Sequence, residues 1–306
     1  PEGSYTHCVR DWVNQSRCGG PSKLLFGESN GVILTAIDSE TVQSDTIGIV
    51  PMWNSVGGLV PESVAFWIGR DDQRAFYLQG AGGYPYSRTE VIGKVSMRIQ
   101  HQLQVCHSDV HLEDIKTVMS HQQGLAQCAR NIKKYLPPAA LVPVPSTSGA
   151  AEYVRAHHDP STAAICSRFC ARIYGLHPLI NDLQDNPEGN YTHFYAVKSE
   201  MRIVPIIRGS KIAFLLWPQE NVPRVLEDLA GPMARARIDI RYIVSIGLGG
   251  TYNQASGDID EDVAFFVEMN THPNRYVMES VLVQLALMSK KFVILGSFDN
   301  WGVIQE

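Results

Sequence analysis

Residues 212–298 carry the alternation that leaves the fewest folds open. Ile212 to Trp217 is an apolar run of strand length, and Glu220 to Ala236 reads as a helix broken near Gly231-Pro232. Ile238 to Ile246 is rich in β-formers, and Val263 to Met269 is a further strand. Asn274 to Ser289 is a helix with Asn274 as its cap, and Phe292 to Phe298 closes the series. A βαββαβ order in so short a span predicts a ferredoxin-like unit, with Gly247 to Asp262 as the long loop between its middle strands. The break ahead of it falls at Val204 to Lys211, where Pro205 and Gly209 interrupt the pattern.

Before that break, short apolar strands alternate with helices, the pattern of an α/β domain with mostly parallel strands. Ile47 to Val50 is a buried strand ending at Pro51. Val95 to Val105 alternates as one strand, with Val95, Met97, Ile99, His101, Leu103 and Val105 on one face. His101 is therefore expected as a hydrogen-bonded core histidine. Ser120-His121-Gln122-Gln123 is an S-x-x-Q capping box, and Leu125, Cys128, Ile132 and Leu136 give its helix an apolar stripe. Ser146 to Ala151 opens another helix, and Asp159-Pro160 caps a third that ends at Gly175.

At 306 residues the chain is long enough for two or three units with their own cores. A formal charge of −5 leaves no basic footprint for nucleic acid, and no apolar stretch is long enough for a membrane span. Six scattered cysteines with no CxxC pair make neither a disulfide framework nor a zinc site. Cys166 and Cys170, four apart on a helix by spacing, read as packing residues. The ten histidines show no HExxH spacing, so no metal and no cofactor is expected, and the chain reads as cytoplasmic and reduced.

Asp185 to Phe194 places a hydroxyl on a short strand directly after a polar turn. Asn186-Pro187 and Glu188-Gly189-Asn190 carry the turn chemistry, and Tyr191 to Val197 reads as the strand. Four further loops offer uncharged hydroxyls and amides at helix starts or strand ends: Glu2 to Thr6, Trp53-Asn54-Ser55, Ser120 to Gln123 and Ser146 to Ser148. Backbone N–H groups at such places bind carboxylates or phosphates without Lys or Arg. Taken singly each loop is a cap; together they point to a small-anion site.

In order along the chain, these segments resemble the prephenate dehydratase family. Pro1 to Thr6 is similar to its opening glycine-rich loop, and Ile49 to Gly58 to its P-x-E-N-S-x-x-G segment. Ile99 to Leu103 matches its central strand, and Ser120 to Cys128 its S-H-P-Q helix start. Ser146 to Ala151 and Asn190 to Phe194 follow in register, the latter where the family has T-R-F. The resemblance implies two α/β lobes around a cleft, similar to periplasmic binding proteins, with a catalytic part at 1–203. Lobe 1 would take about 1–80 plus 180–203, and lobe 2 about 81–179. Residues 210–306 would form an ACT-like domain.

The implied reaction is decarboxylative dehydration of prephenate to phenylpyruvate. Thr192 would be the catalytic residue, assisted by Asn54 and Gln123. Ser4, Thr6, Ser55, Ser120, Ser146, Thr147, Ser148, His193 and Phe194 would bind the dicarboxylate substrate. A homodimer or homotetramer is implied through the ACT-like domain. Three positions depart from the family: Trp53 for Glu, His193 for Arg and Gln122 for Pro. In the tail, Glu220-Asn221-Val222 and Val244 to Leu248 stand where the family's phenylalanine-sensing segments lie, without their charges. A dimerising tail with no phenylalanine binding is therefore expected. Two alternatives stand beside the dehydratase: a non-aromatising prephenate decarboxylase of specialised metabolism, and a silent binding protein for a small carboxylate.

Overall fold

The computed structural model describes residues 2–17, 29–39, 42, 45–68, 89–199, 207–219, 224–253 and 258–305. Pro1, Cys18, the lobe boundary expected near 80, Val204 to Ile206 and Glu220 to Val222 lie outside the described residues. Helices α1 (Tyr5–Arg17) and α2 (Asn30–Asp38) precede β1 (Gly48–Asn54), the two-residue β2 (Gly58–Leu59), α3 (Pro61–Ile68) and β3 (Thr89–Arg98). The middle comprises β4 (Gln102–Val105), β5 (Thr117–Ser120), α4 (Gln122–Gln127), α5 (Ala129–Tyr135), β6 (Ala140–Pro143), α6 (Thr147–His157), β7 (Thr162–Cys166), α7 (Arg168–Tyr174) and β8 (His177–Ile180). The rest is β9 (Tyr191–Ser199), β10 (Lys211–Pro218), α8 (Val225–Arg235), β11 (Ile240–Asn253), β12 (Asp258–Asn270), α9 (Arg275–Leu287) and β13 (Ser289–Ile304).

These strands make two sheets, a mixed α/β architecture. The smaller has the order β6-β5-β7-β4-β8, and the larger β11-β12-β10-β13-β3-β9-β1-β2. The expectation of mostly parallel strands fails. Among the described residues of 45–199, the strands that pair in parallel with one another are β5 with β6 and β5 with β7, while β9 lies antiparallel between β1 and β3.

Several boundaries move for identifiable reasons. The single strand expected over Val95–Val105 is two strands in different sheets, because the chain crosses from one to the other at 99–101. Residues 89–98, expected with the second lobe, accordingly stand in the larger sheet. Strand β1 continues through Pro51, where the ladder slips by one residue before Trp53; a proline lacks the N–H that a regular ladder needs. Ser120 ends β5, and His121 takes the cap of α4 instead. A strand separates Asp159 from the helix ending at Gly175: Asp159 accepts from Ser161 and Thr162, and Ser167 caps α7. Cys166 thus lies on β7 and only Cys170 on α7; both are fully buried in the core of the smaller sheet.

The tail shows the expected order of elements with two differences. Gly247 to Asp262 is not a loop: β11 and β12 stay paired from Gly247↔Val263 to Asn253↔Asp258, and the glycines at 247–250 form an irregularity in the ladder. Helix α8 runs through Pro232, held by Leu229 and Met233 in the core against α9.

One strand ties the tail to the rest. The first part of β13 pairs with β10, and its last residues pair in parallel with β3, from Asp299↔Gly93 to Ile304↔Met97. A Cβ on Gly93 would run into the Trp301 indole, so the join requires glycine there. Above it, the larger sheet folds over its own core, which unites Val50, Met52 and Tyr195 with Leu215, Trp217 and Phe266. In that core the Lys94 ammonium contacts both oxygens of Glu268 at 2.7 and 3.0 Å, and Tyr195 donates to Oε2 at 2.7 Å. The Tyr242 ring lies 4.8 Å from Lys94 Nζ and 4.7 Å from the Trp53 ring, centre to centre.

His193 shares this face, with Nδ1 2.7 Å from Ser96 Oγ. Burial, with the Lys94 and Lys211 ammoniums, pushes its pKa down to about 4 from an ordinary 6.5. Between those values the unfolded chain holds a proton that the folded chain does not, so stability falls as pH drops through that window. His193→Gln is expected to remove this part of the acid sensitivity. Urea unfolding of both proteins across the window tests it, and parallel declines would refute it.

Lys94 and Glu268 are only 5% and 2% exposed. Removing one partner leaves a charge buried alone, so Lys94→Met is expected to cost about 3–5 kcal/mol. The double variant Lys94→Met/Glu268→Leu should recover much of that loss in the same unfolding measurement.

Candidate active site

The chain crosses between the sheets twice, at 99–101 and again between β8 and β9, and the two crossings bind each other. Ile99 N–H donates to the Asn190 carbonyl at 2.8 Å, and Leu183 N–H to the His101 carbonyl at 2.8 Å. The site is built where these crossings meet the end of β1.

Asn54 and Thr192 are direct cross-strand partners on β1 and β9, which puts both side chains on the face away from Lys94. The Asn54 oxygen accepts the N–H groups of Val56 (3.0 Å) and Gly57 (2.7 Å), which fixes which end of the amide is which. Its Nδ2 must then face the other way. It donates to Thr192 Oγ1 at 3.0 Å and to Asn190 Oδ1 at 2.9 Å. Asn190 Nδ2 donates to Gln127 Oε1 at 3.0 Å, and Gln127 Nε2 returns to Asn54 Oδ1 at 3.3 Å. Three amides thus close a ring of one polarity, with Thr192 hanging from it.

The consequence for Thr192 is directional. Its oxygen accepts from Asn54, and among the described residues no acceptor takes its proton; the residue is 9% exposed. The hydroxyl therefore keeps a proton to donate. The turn before it is held by Ser55, whose Oγ accepts Tyr191 N–H at 2.8 Å and donates to the Gly189 carbonyl, and by Asn186 Oδ1 on Gly189 N–H.

The remaining expected residues divide. Gln123 is exposed and lies over Gly57, where any Cβ would run into its amide; it stands at the mouth and takes no part in the ring. Ser120 is fully buried and donates to the Ile165 carbonyl at 2.7 Å. Ser146 caps α6 on Gly149 N–H and lies 3.2 Å from Ser148 Oγ, while Thr147 sits beside Gly124 of α4. Ser4 accepts His7 N–H at the start of α1, next to the half-buried Thr6. Phe194 shares the face of Thr192 but is 2% exposed, packed against Val9 and Val13 of α1. His193 points to the opposite face, as strand alternation requires.

Gln127 and Asn190 were not among the expected residues. Gln127 follows Gln123 by one helical turn and so shares its face, which is a legible signal. Asn190 carries no signal beyond its turn. The ring holds no charge, and among the described residues no three His, Cys, Asp or Glu side chains stand together as metal ligands.

A family model described as prephenate dehydratase matches residues 1–202. Arogenate dehydratase/prephenate dehydratase 2, chloroplastic, of Arabidopsis thaliana is 30% identical over 68% of this chain and 54% of its own length. The prephenate dehydratase of Lactococcus lactis subsp. lactis is 26% identical over 97% of this chain and 95% of its own. The prephenate dehydratase of Arthrobacter aurescens in complex with L-Phe superposes with a TM-score of 0.73 at 22% identity, covering 98% of this chain and 88% of its own. A structure described as GqqA, a novel type of quorum quenching acylase, gives 0.70 at 22% identity, covering 97% and 94%. At such identities a structural likeness speaks for the fold alone. The chain spans about half the length of the first plant relatives, 54% and 39% of them. With the family model matching most of its length, the chain belongs to the prephenate dehydratase family.

Proposed function

We propose that this chain is a carbon–oxygen lyase that converts prephenate to phenylpyruvate. The observation that carries the reading is the directed hydroxyl of Thr192: its oxygen is occupied by Asn54 and its proton is available. In the reaction the bond to the ring carboxylate breaks and its electron pair enters the ring, which becomes aromatic as the ring hydroxyl leaves. Carbon dioxide departs from one end and the hydroxyl, with one proton, departs as water from the other. A hydrogen bond from Thr192 to that hydroxyl stabilises the charge developing on it, an effect worth roughly 10²- to 10⁴-fold. An alcohol is a weak acid, and the amide ring supplies its polarisation.

The neutral surroundings suit the chemistry. A tight ion pair on the ring carboxylate would stabilise the substrate more than the transition state and oppose loss of carbon dioxide. The start of α6, with Ser146, Thr147 and Ser148, offers uncharged carboxylate anchoring, and Gln123 stands over the same junction. The two sheets and the crossings between them favour a two-lobed catalytic part over about 1–203. The order β11-β12-β10-β13 supports reading the tail as a ferredoxin-like, ACT-type unit, and the sheet edge at β11 suits pairing of two chains side by side.

A second substrate has a specific reason behind it. The 30% identical plant relative carries the name of arogenate dehydratase as well, and arogenate has an amine where prephenate has the side-chain ketone. Both compounds share the ring on which Thr192 would act.

Incubating the protein with each compound, while following ring-proton NMR and carbon dioxide release, tests the reading. An aromatic ring with carbon dioxide is expected; carbon dioxide with a non-aromatic ring would make the chain a decarboxylase, and no change would favour a binding protein. Thr192→Val keeps the shape and removes the hydroxyl, so its kcat is expected to fall by at least about 10²-fold. A near wild-type rate would sink the assignment.

A further inference from the structure

His101 was expected as a core histidine, and at 2% exposure it is one, yet its ring is bound to the site. Nε2 lies 2.9 Å from Gln127 Oε1, the oxygen that also accepts from Asn190. We propose that His101, held as the neutral Nε2–H tautomer, is a positioning residue that locks the Gln127 amide and, through the amide ring, the hydroxyl of Thr192.

The tautomer follows from the ring. Asn54 is oriented by two backbone N–H groups, so its oxygen requires a donor from Gln127 and its nitrogen an acceptor in Asn190. Gln127 must then present Nε2 to Asn54 and Oε1 to both Asn190 and His101. An amide oxygen only accepts, so His101 Nε2 carries the proton and Nδ1 is bare. Opposite Nδ1 stands the Tyr5 hydroxyl, 3.2 Å away, whose one proton is donated to the Gln100 carbonyl at 2.6 Å and shared with Nδ1 at the longer distance. Burial holds the His101 pKa below the ordinary value, consistent with a neutral ring.

Gln127 is the corner that needs this help. Its bond to Asn54 is the longest of the ring at 3.3 Å, and it alone comes from the smaller sheet's side of the junction. A flipped Gln127 would set oxygen against oxygen at Asn54 and nitrogen against nitrogen at Asn190. The histidine makes that flip costlier by one more hydrogen bond. The His101 backbone is itself held on both sides: its backbone N–H donates to Gln184 Oε1 at 2.8 Å, and its carbonyl accepts from Leu183 N–H.

The kinetic part of this proposal rests on Thr192 as the proton donor; the tautomer does not. Imidazole ¹⁵N NMR on the full chain at neutral pH decides the tautomer without any turnover. A neutral ring protonated at Nε2 is expected, and an Nδ1–H ring or an imidazolium would overturn the proposal. His101→Leu removes the donor, whereas His101→Gln can place an amide N–H near the same point. With prephenate, kcat of the leucine variant is expected to fall on the order of 10-fold with little change in KM. The glutamine variant should recover most of it. Equal losses in both variants, or a change in KM alone, would reduce His101 to a packing residue. If the wild-type chain turns over neither substrate, the Thr192 reading fails, and the NMR result still decides the tautomer. If the leucine variant does not fold, the glutamine variant decides the positioning role: a kcat within about threefold of wild type supports it, and a larger fall overturns it.

Discussion

A lysine ammonium and a glutamate carboxylate meet inside this molecule almost out of contact with water, and the layout of the larger sheet turns on that meeting. Burying two charges is costly, and the cost is recovered only when geometry is close and every remaining lone pair is used. Lys94 spans both oxygens of Glu268, Tyr195 takes one of them as well, and the Tyr242 ring covers the ammonium. Any slide of β12 over β3 would strand a charge. The pair therefore fixes register between the tail and the strands whose opposite face carries Asn54 and Thr192. The proposed site thus lies on the front of a floor whose back is pinned.

This arrangement changes the meaning of Trp53 and His193. In the sequence they stand as two separate losses from two motifs, a carboxylate from one and a guanidinium from another. In the structure they are direct cross-strand partners, on the face that meets the tail. A family Glu and Arg at these places would face each other across the two strands. Here an indole and a neutral imidazole fill the same position against Tyr242. The two departures therefore fall at one place, on the back of the floor rather than the surface where substrate would lie. The neutral His193 also suits a place already occupied by Lys94, where an added positive charge would be repelled.

Local signals in the sequence were reliable at several helix ends and turns, although Ser120 and Asp159 do not cap the helices expected of them and Pro232 does not break α8. Ser146 and Asn274 cap the helices they precede, Gly175 ends α7 in the left-handed conformation, and the turn before Tyr191 is an Asn-held turn. Thr192 and Asn54 were legible as neighbours of special loops. What the sequence hid was every feature that depends on two distant segments. A strand pattern over Val95–Val105 looks continuous because both halves are buried, yet the crossing at 99–101 sends them to different sheets. Asn190 and His101 became site residues only when the two crossings were brought together. Ser120 resembles a cap until its hydroxyl is seen to serve the Ile165 carbonyl on a neighbouring strand.

The double pairing of β13 also orders events in time. Gly93 and Asp299 are register partners separated by roughly two hundred residues of chain. At about 5–20 residues per second, a ribosome takes on the order of 10–40 s to make the stretch between them. Once β9, the strand that bears Thr192, has paired with one edge of β3, the other edge still waits for β13. An open edge in a growing chain is a template for pairing with other chains. Strand β13 thus acts as a clasp on the sheet that bears Asn54 and Thr192, covering an edge that stays open until it pairs.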